Sequence, residues 1–236
     1  MKKITIILLV ICYAVFGQEE ELNDNKLSIG SWGFRSGFNI ATIEVENFNS
    51  GLGSKYGFSF NFFSDNPISP GITFEWGVQY SMKGAFDSYE YEDEWGDSVE
   101  RESSESSLIL NYIECPALFK IIIPTDSNFD IYVNAGAVSG FNISAKTESE
   151  YYYYYYDSGS GYEDEESYSN SEDITDEVSD FEFGLIFGGG VKIPLQTGKL
   201  LIDIKYDLGL TNIIDDSQFN MTNEVWLLSL GYEFSK

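Results

Sequence analysis

The chain has 236 residues, 39 acidic against 13 basic, no histidine, and a formal charge of -26. That balance repels nucleic acid and anionic lipid headgroups, and without histidine neither Ser-His-Asp or Cys-His dyads nor histidine metal sites can be built. With 43% hydrophobic and 17% aromatic residues, 22 glycines and only 5 prolines, the composition suits a folded, turn-rich all-β protein whose charge is segregated from its apolar parts.

Residues 1–17 read as a secretory signal peptide: Lys2 and Lys3 form the charged start, 4–15 the apolar stretch, and Gly17 the cleavage point before Gln18. The apolar stretch is too short for a spanning helix. Ile11 before Cys12 is bulky where a lipoprotein site needs a small residue, so lipidation is not expected. Cleavage removes the two lysines, taking the charge from -26 to -28, and leaves Cys115 as the single cysteine. An exported chain of this kind has no internal disulfide, and Cys115 reads as a small apolar wall residue. Residues 18–28 form a short N-terminal segment, and 29–234 one domain.

Alternation then dominates. In the first strand Trp32, Phe34, Phe38 and Ile40 alternate with Gly33, Arg35, Gly37 and Asn39; in the second Tyr56, Phe58, Phe60 and Phe62 alternate with Gly57, Ser59 and Asn61. The clearest strand, 71–83, sets Ile72, Phe74, Trp76, Val78, Tyr80 and Met82 against Thr73, Glu75, Gly77, Gln79, Ser81 and Lys83. Successive side chains of a strand point to opposite faces, so one face is apolar and the other polar or small. A fourth strand, 108–123, is irregular, because the parity of Ala117, Phe119, Ile121 and Ile123 does not suit Leu110 and Tyr112. A β-bulge is predicted near 114–116, where Pro116 cannot donate to the ladder. Four further strands follow at 131–144, 181–192, 200–210 and 226–234, which makes eight.

The connections alternate in length. Stretches 65–70, 124–128 and 194–198 are short and carry Pro, Asn, Asp or Gly, as tight turns require. Between them lie two long loops, 84–107 and 147–179, with nine and eleven acidic residues, or 20 of the 39, against the single base Arg101. Six consecutive tyrosines, 151–156, precede the acids Glu163, Asp164, Glu165 and Glu166. This segment is expected to project past the membrane as an aromatic ribbon with a solvated acidic tip. Its carboxylates suit Ca²⁺ as a ligand class, but the alternating-Asp spacing of a calcium loop is absent.

An apolar face turned inward would overpack an eight-stranded interior. The opposite orientation places the small face in the lumen, where Arg35, Lys83, Lys120, Lys146, Lys192 and Lys205 can neutralise Glu75, Glu114, Glu182, Asp203, Asp207 and Glu233. Trp32, Tyr56, Trp76, Tyr80, Tyr206, Trp226 and Tyr232 then supply aromatic girdles at the membrane interfaces. The expected fold is therefore an all-β, eight-stranded, antiparallel up-and-down transmembrane β-barrel in the bacterial outer membrane, with short turns on one rim and long acidic loops on the other.

Four elements in order, 37–41 (GFNIA), 79–84 (QYSMKG), 111–116 (NYIECP) and 207–213 (DLGLTNI), resemble the PorT-type outer-membrane β-barrel family of Bacteroidota. The resemblance covers about 29–234, and Cys115 stands where relatives often carry an aliphatic residue. It implies an eight-stranded outer-membrane barrel and, through the founding member, a link to type IX protein secretion. The functional expectation is a non-enzymatic barrel with a structural or surface-interaction role through its acidic, tyrosine-rich loops. Accessory work in secretion and small-solute conduction are the alternatives. Asp203 and Asp207 belong to a lumen network rather than to acid-base catalysis, and no catalytic, cofactor-binding or metal-ligating residue is assigned. Outer-membrane lipid is the expected partner, and a surface protein, a glycan or a divalent cation is the candidate at the loops, with nucleic acid excluded.

Overall fold

A computed structural model of the protein describes residues 30–46, 52–96, 98–214 and 219–234. The signal reading of 1–17, Cys12 included, and the segment 18–28 lie outside the described residues. Those residues form nine strands: β1 Ser31–Val45, β2 Gly53–Ser69, β3 Ile72–Trp95, β4 Ser98–Pro124, β5 Asp130–Asp157, β6 Tyr162–Asp173, β7 Phe181–Pro194, β8 Gly198–Gly209 and β9 Met221–Phe234. Eight of them close a ring in the order β4-β3-β2-β1-β9-β8-β7-β5, sealed by pairing between β4 and β5. Every recorded pairing is antiparallel. Closure matters because hydrocarbon offers no partner to an unpaired backbone N–H or C=O. The ninth strand, β6, stands outside the ring and pairs with the far half of β5, from Lys146↔Asp173 to Asp157↔Tyr162.

The orientation follows the alternation. Phe38, Phe60 and Leu228 are at least half exposed, whereas Arg35, Asn39, Ser59 and Asn61 on the same strands are buried. An exposed apolar band running round the whole ring is far beyond what a soluble monomer tolerates. Aromatic residues gather in two rows of that outer surface. Near the short-turn rim Trp76, Ser64, Trp32 and Phe234 lie in register, and Trp32 stacks on Phe234 with ring centroids 4.1 Å apart. Toward the other rim Tyr56, Ile40, Trp226 and Tyr206 form a second row. Amphipathic rings at two heights are what two membrane–water interfaces select.

Three expectations need correction. No register shift occurs at 114–116: the pairs on either side of Cys115 and Pro116, Trp76↔Ala117 and Gln79↔Glu114, share one register. Leu110 and Tyr112 point inward with Glu114, and the bulge lies on the partner strand, where pairing passes from Asn111↔Ser144 to Tyr112↔Asn142 and skips Ile143. The turn expected at 65–70 is tighter, because β2 runs to Ser69 and the chain reverses at Pro70 and Gly71, the latter at φ 77°. The stretches 84–107 and 147–179 are mostly paired strand rather than loop, since β3, β4 and β5 continue past the barrel for 24, 27 and 28 residues in total. About ten residues suffice to cross a bilayer as a tilted strand.

The interior is layered. At the long-hairpin rim an apolar plug of Ile43, Ala85, Leu110, Tyr112, Ala145, Val178 and Ile213 seals the mouth. Two of its members come from connections laid over the opening: Val178 bridges to Ile214, and the Ser179 N–H donates to the Ile213 carbonyl at 2.7 Å. At the short-turn end Phe63, Tyr132 and Leu201 pack inward. Gly33 and Gly190 make room for the two rings, because a Cβ on Gly33 would fall 2.6 Å from Phe63 and one on Gly190 2.8 Å from the Tyr132 hydroxyl. Between plug and floor lies a ladder of charge.

Candidate functional site

Five cations and seven carboxylates are buried in the lumen among the described residues. Lys192 bridges Asp65 at 2.8 Å and Glu233 at 2.7 Å, and Lys120 bridges Asp65 at 2.8 Å and also pairs with Glu75. Arg35 grips both Glu75 oxygens at 2.7 Å, reaches Asp203 at 2.8 Å and lies flat on Phe63. Above them Lys83 faces Glu114, Glu182 and Asp207 at 2.7, 3.2 and 2.8 Å. The surplus carboxylates are met by amide donors, Gln79 to Glu114 at 2.7 Å and Asn223 to Glu182 at 3.1 Å. All six carboxylates expected inside are there, Asp203 and Asp207 among them, as are Arg35, Lys83, Lys120, Lys192 and Lys205.

Lys146 is not. The bulge at Ile143 reverses the parity of the strand beyond it, so Ala145 turns inward and Lys146 outward. Asp65 takes an interior place that sequence reasoning missed, between Lys120 and Lys192. Its neighbours Pro67 and Pro70 suggest a turn, and only its alternation with Asn61 and Phe63 could have revealed it. Stranding any one of these charges in the lumen costs several kcal/mol, on the order of 3–5. The ladder is therefore a core, built of matched charge rather than hydrocarbon. A cavity of about 10 Å³ lined by Gln79, Lys205 and Asp207 is no larger than about one water.

The second constellation is outside. Beyond the barrel β3, β4, β5 and β6 form a four-stranded blade with two edges, β3 and β6. Twelve residues of β6 correspond to about 40 Å of strand. The pairings put Tyr91, Glu102, Tyr153 and Glu166 in one row, Asp93, Glu100, Tyr155 and Asp164 in the next, and Tyr89, Ser104, Tyr151 and Tyr168 in another. Since these residues alternate with the other face, Tyr89, Tyr91, Tyr151, Tyr153, Tyr155 and Tyr168 share one surface. The opposite surface carries Tyr152, Tyr154 and Tyr156 with Glu90, Glu92, Glu163 and Glu165. There the Tyr154 hydroxyl donates to Glu163 at 3.2 Å, and the exposed Arg101 and Glu92 pair at 2.7 Å.

The six tyrosines thus divide between two faces, and the expected projecting ribbon is a hairpin of β5 and β6 whose tip is a turn at 158–161. The Ser160 hydroxyl and the N–H groups of Ser160 and Gly159 hold the Asp157 carboxyl below its ordinary value. Partial desolvation and then Glu102 raise the Tyr151 phenol, and partial desolvation and then Glu100 raise that of Tyr153. Both therefore stay neutral donors at physiological pH. No group of three Asp, Glu or Cys side chains among the described residues is disposed to hold a metal ion. Cys115 is a free, half-buried thiol on the outward parity of β4.

A closed ring with an apolar exterior, aromatic rows at two heights and a charge-matched interior is membrane-spanning architecture. The family model for the outer membrane protein beta-barrel domain matches residues 16–215. The chain belongs to this family. It is an outer-membrane protein, and its rims have the usual asymmetry of short turns and long hairpins. No curated protein matches it. Among solved structures it is similar to Ail of Yersinia pestis, at 15% identity and TM-score 0.34, covering 88% of this chain and 100% of that one. It is similar to Neisserial surface protein A at 13% identity and TM-score 0.42, covering 89% and 100%. A major outer membrane protein from Thermus thermophilus matches at 15% identity and TM-score 0.32, covering 88% and 99%.

Proposed function

We propose that this outer-membrane barrel is a non-enzymatic anchor that presents its acidic, tyrosine-rich blade outside the cell as an interaction surface. The observation that carries the reading is the division of labour between the two charged regions. In the lumen every cation is committed to a carboxylate within 4 Å. Of the twenty acids in 84–107 and 147–179, seventeen lie on the blade strands and face one arginine, so their charge is left for something other than the fold. Long loops of outer-membrane barrels lie on the extracellular side, which supports an extracellular blade. A plugged, filled lumen of eight strands does not support solute conduction.

The test is a strain whose protein lacks residues 147–173. Loss of surface binding or adhesion, with the barrel still inserted, supports the reading; unchanged surface behaviour contradicts it. The PorT-type resemblance at 37–41, 79–84, 111–116 and 207–213 supports the alternative, an accessory role in type IX secretion. Failure to export type IX cargo in a full deletion, with adhesion intact, would favour that alternative.

A further inference from the structure

The blade's two faces are not equivalent, and the difference points to a class of partner; this step rests on the surface-interaction reading above. One face gathers Tyr89, Tyr91, Tyr151, Tyr153, Tyr155 and Tyr168 in adjacent rows with Glu100, Glu102, Asp164 and Glu166 between them. Tyr89 and Tyr168 are 54% and 64% exposed, Tyr91 and Tyr151 are exposed too, and Tyr153 and Tyr155 are partly so. We infer that it docks an extended, lysine- or arginine-rich polypeptide segment.

Three observations favour that occupant. Charge complementarity requires a cation, and a polyanion would meet unbalanced carboxylates. The carboxylates are spread along the strands and do not converge into metal-holding groups, so the cation must itself be spread out, as charges on a chain are. The rings recur at every second residue of β5, a repeat of about 6.7 Å. An extended peptide repeats same-side residues at that interval, so alternate basic side chains meet successive ring–carboxylate units. A cation over a tyrosine face and beside a carboxylate gains from both.

The experiment uses the full-length protein in zwitterionic nanodiscs and a fluorescent twelve-residue peptide of alternating lysine and serine, followed by anisotropy. Two charge-neutral double variants are compared: Tyr153→Ser with Tyr155→Ser on the proposed face, and Tyr152→Ser with Tyr154→Ser on the other. The expected result is about tenfold weaker binding for the first pair and less than about threefold for the second. Retention of the heat-modifiable gel shift by both pairs confirms that the barrels are folded. Equal loss from both pairs, or loss from neither, overturns the docking face. So does equal binding of a threonine–serine peptide or of heparin, or full displacement of the peptide by calcium at matched charge. Should the peptide fail while removal of 147–173 still abolishes surface binding, the partner assignment falls and the surface reading stands; unchanged surface behaviour would remove both.

Discussion

The lumen and the blade are made from similar material, strands dense in carboxylates and aromatic rings, yet they solve opposite problems. In the lumen Glu75 is met by Arg35, Lys120 and Lys205 and is almost wholly buried. On the blade Glu102 lies between Tyr91 and Tyr153, is hydrogen-bonded to the Tyr151 phenol and has no ion pair among the described residues. Burial forces the first set to be matched, because an ion removed from water without a partner is far too costly. Exposure lets the second remain unmatched, because solvent and salt screen it. Carboxylates in this protein are therefore structural where they are enclosed and available where they are not.

That contrast can be broken in order of effect. Glu75→Gln keeps the shape but removes the carboxylate that Arg35 and Lys120 share with Asp203 and Asp65 and leaves Lys205 with no ion pair among the described residues, and should cost on the order of 3–5 kcal/mol of unfolding free energy. Urea titration followed by the gel shift of folded barrel would show it, and a loss below about 1 kcal/mol would mean that the ladder is not a core. Leu230→Arg, midway on β9 between the aromatic rows at Trp226 and Phe234 and 60% exposed, places charge in hydrocarbon and should cost about 2–4 kcal/mol. A neutral outcome in the same titration would mean that this face does not meet lipid. On the blade, Arg101→Gln breaks an ion pair as short as those inside, yet should leave the urea midpoint unchanged because both partners are exposed.

The smallest effect concerns the tip. Asp157 is held below its ordinary value, so its carboxylate contributes stability above that value and loses it as pH falls through the depressed one. Hydrogen exchange of the Gly159 and Ser160 amides, corrected for intrinsic rates, should lose protection only in acid, below about pH 4. Asp157→Asn should remove that dependence. Protection lost already near neutrality would contradict the assignment.

Legibility in the sequence followed the same divide. Period-two alternation exposed the barrel strands wherever one side of a strand meets lipid and the other the lumen, and it placed Arg35, Glu75, Lys83 and Asp203 correctly. It failed where both faces meet water. The runs 86–95, 98–107 and 162–173 are polar on both sides, so no alternation separates β6 or the blade extensions from loop. A single extra residue, Ile143, was invisible and carried Lys146 to the wrong side. Leu110 and Tyr112 looked out of phase because the plug that receives them is built partly from Val178 and Ile213, which lie in connections without any period. The blade's two faces could not be read at all, since they depend on the register of four strands.

The orientation on which everything rests can be measured with the tryptophans. Trp226 sits 53% exposed on the barrel wall and Trp95 64% exposed near the end of β3 on the blade, so two single-tryptophan proteins in nanodiscs give opposite environments. Brominated lipid should quench Trp226 and leave Trp95 untouched, while aqueous acrylamide should do the reverse. Trp226 shielded from bromine would place the aromatic face inside and contradict the account.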